Sequence, residues 1–412
     1  MNRFTQYVIL ACMFLITPQC AFSAIQLKNY KSSDPKRKTI CLNMIVKNES
    51  SVIRRCLDSA VPIIDYWVIV DTGSSDNTQQ IIQDHMRERG IPGELHERPW
   101  KNFCHNRNEA LELARDKADF VFFLDADEFI SYNDGFKLPD LDKDCYYMNL
   151  RYGSFKWGRI LLANNHLIWK WVGVLHEVLE IPSEATSGTI DDAHIVCTTE
   201  GARSKDPQKY QKDAQVLEEG LKEEPNNSRY RFYLAQSYEN AREDKKALEN
   251  YQKRIEMGGW DQEVFIAYMR MGGIQERLEA DTDTIISTYR KAIETRRNRA
   301  EPYYHISSYY RRLGEFENGY LVAKLGSIIP RSNDILFVDE WMYDYGILLE
   351  LSICAYWMGK YQESQEVSLK ILSKPDLPTN VRECVENNLG FANQKLLESL
   401  SISLESLSIS QK

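Results

Sequence analysis

From Thr39 to about Thr199, apolar runs alternate with stretches of helical spacing. CLNMIV (41–46) is a short apolar run that predicts a buried strand. ESSVIRRCLDSAV (49–61) has helical spacing, and YWVIVD (66–71) predicts a second strand. NTQQIIQDHMRERG (77–90) predicts a helix closed by Gly90. NRNEALELARDKA (106–118) predicts another helix, and DFVFFLDAD (119–127) a third strand. This β-α-β-α-β order argues for a parallel sheet with crossover helices, whose ligands bind beyond the carboxyl ends of the strands. The polar groups at those ends are Lys47-Asn48-Glu49, Asp71-Thr72-Gly73-Ser74 and Asp125-Ala126-Asp127.

From about Asp206 the strand patterns vanish and helical hairpins follow. One unit carries Ala235, Tyr238, Ala247 and Tyr251; another Ser307, Tyr310, Gly314, Phe316 and Gly319; a third Ser352, Ala355, Gly359, Tyr361 and Ser364. YRKAIE (289–294) reads as the second helix of a further unit. Small residues let paired helices approach, and aromatics fill the gaps between pairs. The pattern resembles degenerate tetratricopeptide repeats. Gly314 and Gly359 lie 45 residues apart, longer than the usual repeat of about 34, so insertions are expected. The tail duplicates LESLSIS over 397–410. Serine disfavours a helical seam there, and a frayed tail is expected.

The chain has 412 residues, 43% hydrophobic and 27% charged. That is ordinary globular usage, and it excludes whole-chain disorder, a collagen-like repeat and a multi-span membrane protein. Net charge is −9, against wholesale nucleic-acid coating, and no nucleic-acid partner is expected. Tyrosines concentrate after residue 230, in keeping with two architectures. Residues 1–24 carry Arg3, an apolar run from Tyr7 to Ile16, Pro18 and small residues to Ala24. This is the order of a secretory signal peptide, which would export the chain or send it to an organelle lumen. The alternative is an uncleaved anchor with the catalytic part cytoplasmic, because Lys28, Lys31, Lys36, Arg37 and Lys38 follow the run. Seven cysteines beyond the leader are scattered and show no C-x-x-C, so free thiols are expected rather than a disulfide framework or zinc site.

The strongest chemical feature is FVFFLDADEF (120–129). In an extended segment Asp125 and Asp127 would share a face. Two anions held together are costly unless a cation joins them. A Mn²⁺ or Mg²⁺ ion bridging Asp127 to a diphosphate would supply it. Alone, D-x-D is a weak signal. Its companions are Asn48-Glu49 after the first strand, Asp71 through Thr78 after the second, and Arg107-Asn108 opening the helix before D-x-D. Together these resemble the nucleotide-sugar half of family-2 glycosyltransferases. The resemblance implies an α/β domain of GT-A fold, with a Rossmann-like mixed sheet, over 39–204. An all-α repeat domain would follow over 205–395, and a low-complexity tail over 396–412.

The resemblance further implies that Asn48, Glu49, Asp71, Arg107 and Asp125 bind the nucleotide-sugar donor, with a UDP-sugar as the leading expectation. Asp71 would face the uracil or ribose, Asp125 the ribose, Arg107 the phosphates, and Asp127 with Asp125 the metal. Thr72 stands where the family usually has a second Asp, which leaves base identity open. Glu49 could instead only cap the following helix. Many GT-A enzymes use a late histidine as a further metal ligand, here His194.

WKWVGVLHEVLE (169–180) places His176-Glu177 about 50 residues after D-x-D, and H-E-x-x-H is absent, which excludes a zincin. Glu177 is the candidate base for the acceptor proton, with His176 aligning it or serving in its place. Arg203, Lys205 and Lys209 either neutralise a leaving diphosphate or form a solvated turn. Trp100, Trp157, Trp169 and Trp171 either stack on sugar or fill the core. The expected reaction is sugar transfer to a glycan, lipid or protein acceptor, with inversion implied by the family, the repeats holding the acceptor or a protein partner. The rival is a repeat-based interaction scaffold with an inactive transferase half. A nucleotidyltransferase would want a Gly-rich basic loop after the first strand, and KNESS has no Gly.

Overall fold

The computed structural model describes residues 29–31, 33, 34, 36–153 and 155–410. The leader lies outside the described residues. The α/β half begins with β1 (Ile40–Val46), α1 (Ile53–Ala60), β2 (Tyr66–Asp71), α2 (Thr78–Glu88), β3 (Gly93–Glu97), α3 (Phe103–Leu113) and β4 (Phe120–Phe123). It continues through β5 (Glu128–Tyr132), β6 (Cys145–Tyr152), β7 (Phe155–Asn164), β8 (Lys170–Val172), β9 (Val178–Glu180) and β10 (Ser187–Cys197). One mixed sheet runs β3-β2-β1-β4-β7-β6-β10-β5, and β8 and β9 form a separate ribbon. β1 pairs in parallel with both β2 and β4, while β7 is antiparallel to β4 and β6. β3, with sequence GELHE, has too little apolar alternation to announce itself, but it pairs in parallel with β2.

β1 explains the layering. Ile40, Leu42 and Met44 pack with α1 and α2 residues such as Ile53, Leu57 and Ile82. Cys41 faces the other way, with Val121, Phe123, the α3 residue Leu111 and Ala114 just beyond α3. A strand buried on both faces needs helices on both sides, and the crossovers supply them. Asn43 on the α3 face is buried, but its amide donates to the Ala110 carbonyl at 2.8 Å.

The second half is helical: α4 (Lys209–Glu223), α5 (Ser228–Asn240), α6 (Asp244–Glu256), α7 (Asp261–Arg277), α8 (Thr282–Thr295), α9 (Glu301–Arg312) and α10 (Phe316–Gly326). After a short strand β11 (Val338–Asp339) come α11 (Ile347–Trp357), α12 (Tyr361–Leu372) and α13 (Thr379–Ser410). The small and aromatic positions fall as the sequence indicates: Ala235, Tyr238, Ala247 and Tyr251 are all buried between α5 and α6. Gly314 and Gly359 close the α9–α10 and α11–α12 turns at φ +78° and +74°, where a side chain would strain the backbone. The insertion between the last two hairpins contains β11, which pairs antiparallel with β7 (Val338 opposite Lys156, Asp339 opposite Phe155). The helical half thus contributes a strand to the sheet of the other half. The tail is not frayed as expected, since α13 keeps a helical backbone through Ser410. Among the described residues no helix is long and apolar enough to cross a membrane.

Candidate active site

The carboxyl ends of β1, β2 and β4 gather the predicted groups, but not in the arrangement expected. Asp125 and Asp127 do not lie along an extended strand. β4 ends at Phe123, and the chain turns, with the Glu128 amide donating to the Asp125 carbonyl at 3.0 Å. The two carboxylates therefore enter different environments. Asp125 faces Arg107 (Nη2 to Oδ1, 2.6 Å) and Arg159 (Nη1 to Oδ2, 3.7 Å). Burial alone would raise its pKa, but the two guanidinium groups lower it overall. Asp125 is thus an anion already neutralised by protein, which removes it from the expected metal set.

Asp127 is the opposite case. Desolvation, then the charges of Asp125 and Glu128, push it up to about 6. Glu49 is pushed up to about 7 by desolvation, with Asp127 adding to the rise. Glu49 does not cap α1, whose N-cap is Val52. Its carboxylate instead accepts from the Ala202 amide at 3.2 Å. The Gly201 amide bonds Asp127, so two consecutive amides after β10 hold the two carboxylates side by side. A Cβ on Gly201 would stand 2.8 Å from Asp127 Oδ2, so only glycine permits this approach. Thr198 Oγ1 donates to the Asp127 carbonyl at 2.8 Å and fixes the same turn.

Three cations that follow β10, two from the turn and one from the start of α4, act on these groups. Lys205 acts on Glu49, Lys209 on Asp127, and Arg203 and Lys209 together on His176. Arg203 also pairs with Asp213 and lies 4.5 Å over the Phe103 ring.

Asn48 and Asp71 are placed differently from the expectation. Asp71 is fully buried, and its Oδ1 accepts from the Gly73 and Ser74 amides at 2.9 and 2.8 Å. Asn48, at φ +59°, accepts from the Ser75 amide at 2.7 Å through its side chain, and its own amide donates to Ser74 Oγ at 2.8 Å. Asn48 thus stitches the loop after β1 to the loop after β2, whereas Asp71 braces its own loop through Oδ1 and leaves its buried Oδ2 without a hydrogen-bond partner among the described residues. His194 is also displaced. It lies within β10, paired with Ser131 and Asn149, roughly 10 Å of strand before Cys197. Its charged neighbours are Arg151 and Lys156, which disfavour a cation there. His194 is therefore removed from the metal set.

Arg107 organises the opposite wall. Its Nε donates to Glu177 Oε1 at 2.5 Å, and its guanidinium lies 5.1 Å from the Trp171 ring centre. Burial would lower its pKa, but Asp125 and Glu177 raise it overall, so it is charged at any working pH. Glu177 has its carboxylate in this pair and a side chain only 8% exposed. Its neighbour His176 is a non-glycine residue at φ +52°. The helical half holds it there: Arg229 donates to its carbonyl at 2.9 and 3.1 Å, and Tyr233 stacks on its ring at 3.8 Å and 14°. His176 as a residue is exposed. Enclosure by its neighbours, then the charges of Arg229, Arg203 and Lys209, lower its pKa, so the ring is neutral at pH 7. Trp169 and Trp171 are core residues, Trp100 is exposed, and Trp157 is half-buried.

Sequence reasoning missed Arg159, Gly201, Arg229 and Tyr233. Arg159 sits in a run, GRILL, that reads as an ordinary strand, and the others act through contacts with residues far away in the chain.

Comparison with known proteins agrees with this geometry. Residues 41–148 match the family model for glycosyl transferase family 2. The chain is 34% identical over 103 residues to the SPbeta prophage-derived glycosyltransferase SunS of Bacillus subtilis, covering 25% of this chain and 22% of that one. It is 36% identical over 90 residues to a TPR repeat-containing protein of Synechococcus elongatus, covering 22% and 20%. The chain thus spans about a fifth of the length of the curated relatives it matches. The solved MamA protein aligns with 41% of this chain and 87% of its own at 16% identity and a TM-score of 0.33. Part of a TPR repeat-containing protein from Cytophaga hutchinsonii aligns at 17% identity and 0.34, over 48% and 76%. Scores at that level add nothing to the hairpin architecture seen directly. The matched stretch lies in the α/β half, and β2, β4, Glu49, Arg107, Asp125, Asp127 and all of β1 except Ile40 fall inside it. The α/β half is joined to a run of helical hairpins.

Proposed function

We propose that this protein is a glycosyltransferase that moves a sugar from a nucleotide-sugar donor to an acceptor hydroxyl or other nucleophile. The observation that carries the reading is the corner where Glu49 and Asp127, both raised, lie side by side against the Gly201 and Ala202 amides and face Lys205 and Lys209. A catalytically dead scaffold would have no use for two neighbouring carboxylates that repel each other.

A divalent cation fits this corner in part. Among the described residues no group of three or more His, Cys, Asp or Glu could hold a metal. Mg²⁺ or Mn²⁺ sites on substrates commonly take one or two carboxylates and leave the rest to phosphate oxygens and water. Asp127 and Glu49 provide such a set, and carboxylates raised by desolvation and by neighbouring acids gain from a nearby positive charge. The ion, when bound, would supply charge neutralisation at the diphosphate. Lys205, Lys209 and Arg203 would stabilise the same leaving charge, which in such transfers is usually the largest catalytic contribution.

On the acceptor side, His176 takes the proton. Its ring is neutral and the residue is exposed, whereas Glu177 is engaged by Arg107 and serves to position it. A diphosphate beside Arg203 and Lys209 would cancel two of the charges that depress the imidazole, and so raise its basicity once the donor is in place. Direct attack by the acceptor on the anomeric carbon, with departure of the nucleoside diphosphate, would invert configuration. A UDP-sugar remains the leading donor, and Asp71 Oδ2, which has no hydrogen-bond partner among the described residues, is available to it.

The test is turnover of a panel of nucleotide sugars by the full chain, with and without Mn²⁺ or Mg²⁺, alongside Asp127→Ala. Release of nucleoside diphosphate from one donor, lowered by about 10²–10³-fold in the variant, is expected. Absence of turnover for every donor, or equal turnover by the variant, would overturn the reading.

A further inference from the structure

Trp100 stands on the loop between β3 and α3 and is 41% exposed. A lone exposed tryptophan on a slack loop would need no explanation. This loop is not slack. Pro99 fixes its own φ and biases Arg98 toward an extended backbone. The Arg98 amide donates to the Asp71 carbonyl at 2.9 Å. Asn106, fully buried on α3, accepts from the Lys101 amide at 3.0 Å and donates to the Pro99 carbonyl at 3.1 Å. Asn102 caps α3 by accepting from the His105 amide at 2.8 Å. The residues on either side of Trp100 are thus tied down, and the indole is held out in a fixed place. We propose that Trp100 is the platform on which the base of the donor nucleotide stacks. The inference rests on the transferase reading above and names what grips the nucleoside of its donor.

The place of the ring favours a base. β3 lies beside β2 in the sheet, and the bond from Arg98 to Asp71 brings the loop against the carboxyl end of β2. Asp71 stands there with Oδ2 buried and without a hydrogen-bond partner among the described residues. A carboxylate oxygen only accepts, so its partner must bring an N–H or O–H, and a nucleoside carries both. Trp100 also meets Phe103 in an edge-to-face contact (4.7 Å, 79°), and Arg203 lies 4.5 Å over the Phe103 ring. Arg203 in turn acts by its charge on Asp125 and His176. Trp100 therefore stands beside the loop after β2 and two ring contacts from a cation of the acidic corner. A nucleotide with its diphosphate at Arg203 is long enough to bring its base to Trp100.

The ring is also uncommitted. Among the described residues its indole N–H has no hydrogen-bond partner, and Phe103 is its one ring contact. An edge-to-face contact occupies at most one face of the indole. A nucleobase is planar and aromatic, and stacking on such a ring does not depend on which base it is. Trp100 would therefore supply affinity for the nucleoside and leave base identity to polar groups such as Asp71 Oδ2.

The experiment is calorimetric titration of the full chain with UDP, GDP, CDP and ADP, each with Mg²⁺. Inorganic pyrophosphate with Mg²⁺ serves as the probe that carries phosphates and no base. The wild-type chain should bind at least one nucleoside diphosphate. Trp100→Ala should weaken that binding about tenfold or more, by a similar factor for each nucleotide that binds, and leave pyrophosphate unchanged. Trp100→Phe, which keeps a ring, should recover most of the loss. Trp100 is exposed and its loop is held through backbone groups and Asn106, so both variants should fold. Nucleotide binding indifferent to Trp100→Ala overturns the proposal. Equal loss for nucleotide and pyrophosphate also overturns it, since Trp100 would then brace the corner and meet no base. If no nucleoside diphosphate binds the wild-type chain, the transferase reading falls and this inference with it. Binding that the variant leaves intact sinks this inference alone.

Discussion

Arg107 and Arg299 are two buried arginines, one in each half, and each is clasped by two acids. Arg299 uses every nitrogen. Its Nε and Nη2 reach Glu301 at 2.8 to 3.0 Å, Nη1 reaches Asp334 and the Leu336 carbonyl at 3.2 Å, and Nη2 also reaches the Phe337 carbonyl at 2.9 Å. It lies 4.4 Å over the Phe265 ring, with a side chain 1% exposed. Arg107 uses only Nε and Nη2 among the described residues, and its acids come from two separate segments. A saturated ion cluster is a fixture of the fold. An unsaturated one, at the open ends of strands, has donors left for a ligand. Of these two arginines, only Arg107 leaves donors without a partner among the described residues.

That contrast can be broken in four ways. The largest effect belongs to Arg299→Met, which leaves Glu301 and Asp334 buried without their partner and should cost about 3–5 kcal/mol. Denaturant melts would show it, while the fraction still folded should turn over donor at the wild-type rate. Arg107→Gln should instead lower kcat by about 10²–10³-fold, equivalent to some 2.7–4 kcal/mol of transition-state stabilisation, with a smaller loss in the melt. If both variants lose stability and activity in the same proportion, the distinction fails.

Next comes Tyr233→Ala. It unstacks His176 from the helical half, and kcat should drop about tenfold with donor KM unchanged, as initial rates at varied donor would record. Tyr233→Phe, which keeps the stack, should restore most of the loss. The smallest effect concerns His305, stacked on Tyr289 and lowered to about 4, chiefly by burial. Its folded pKa lies below the unfolded value, so folding excludes a proton. Stability is therefore undiminished above about pH 6.5 and falls as pH drops toward 4, by an amount on the order of 1 kcal/mol. His305→Gln should flatten that part of the stability–pH curve, and a curve of unchanged slope would remove His305 from the account.

The two halves also differed in how much their sequence disclosed. β1, β2 and β4 carry unbroken apolar runs, and α5 to α12 carry small and aromatic positions at helical spacing, so local pattern was enough. β3 and β11 are short and polar, and exist because a neighbouring strand offers a ladder. At the site, residue types were readable and their states were not. The D-x-D pair was read as extended and equivalent. A turn at Asp125–Glu128 and the arrival of Arg107 and Arg159 split it into one neutralised and one raised carboxylate. Glu49 reaches Ala202 across 153 residues, and His176 is stacked by Tyr233 from another half, relations that no local window contains.

The strand Val338–Asp339 has a practical consequence for anyone wishing to graft or trim this molecule. A boundary drawn where the helices begin would amputate part of the sheet it was meant to spare, and bare the β7 backbone at Phe155 and Lys156. Repeats added or removed between α4 and α10 would have to return this two-residue tongue to the same slot. The length of the helical array is therefore constrained by the sheet, and not by the array alone.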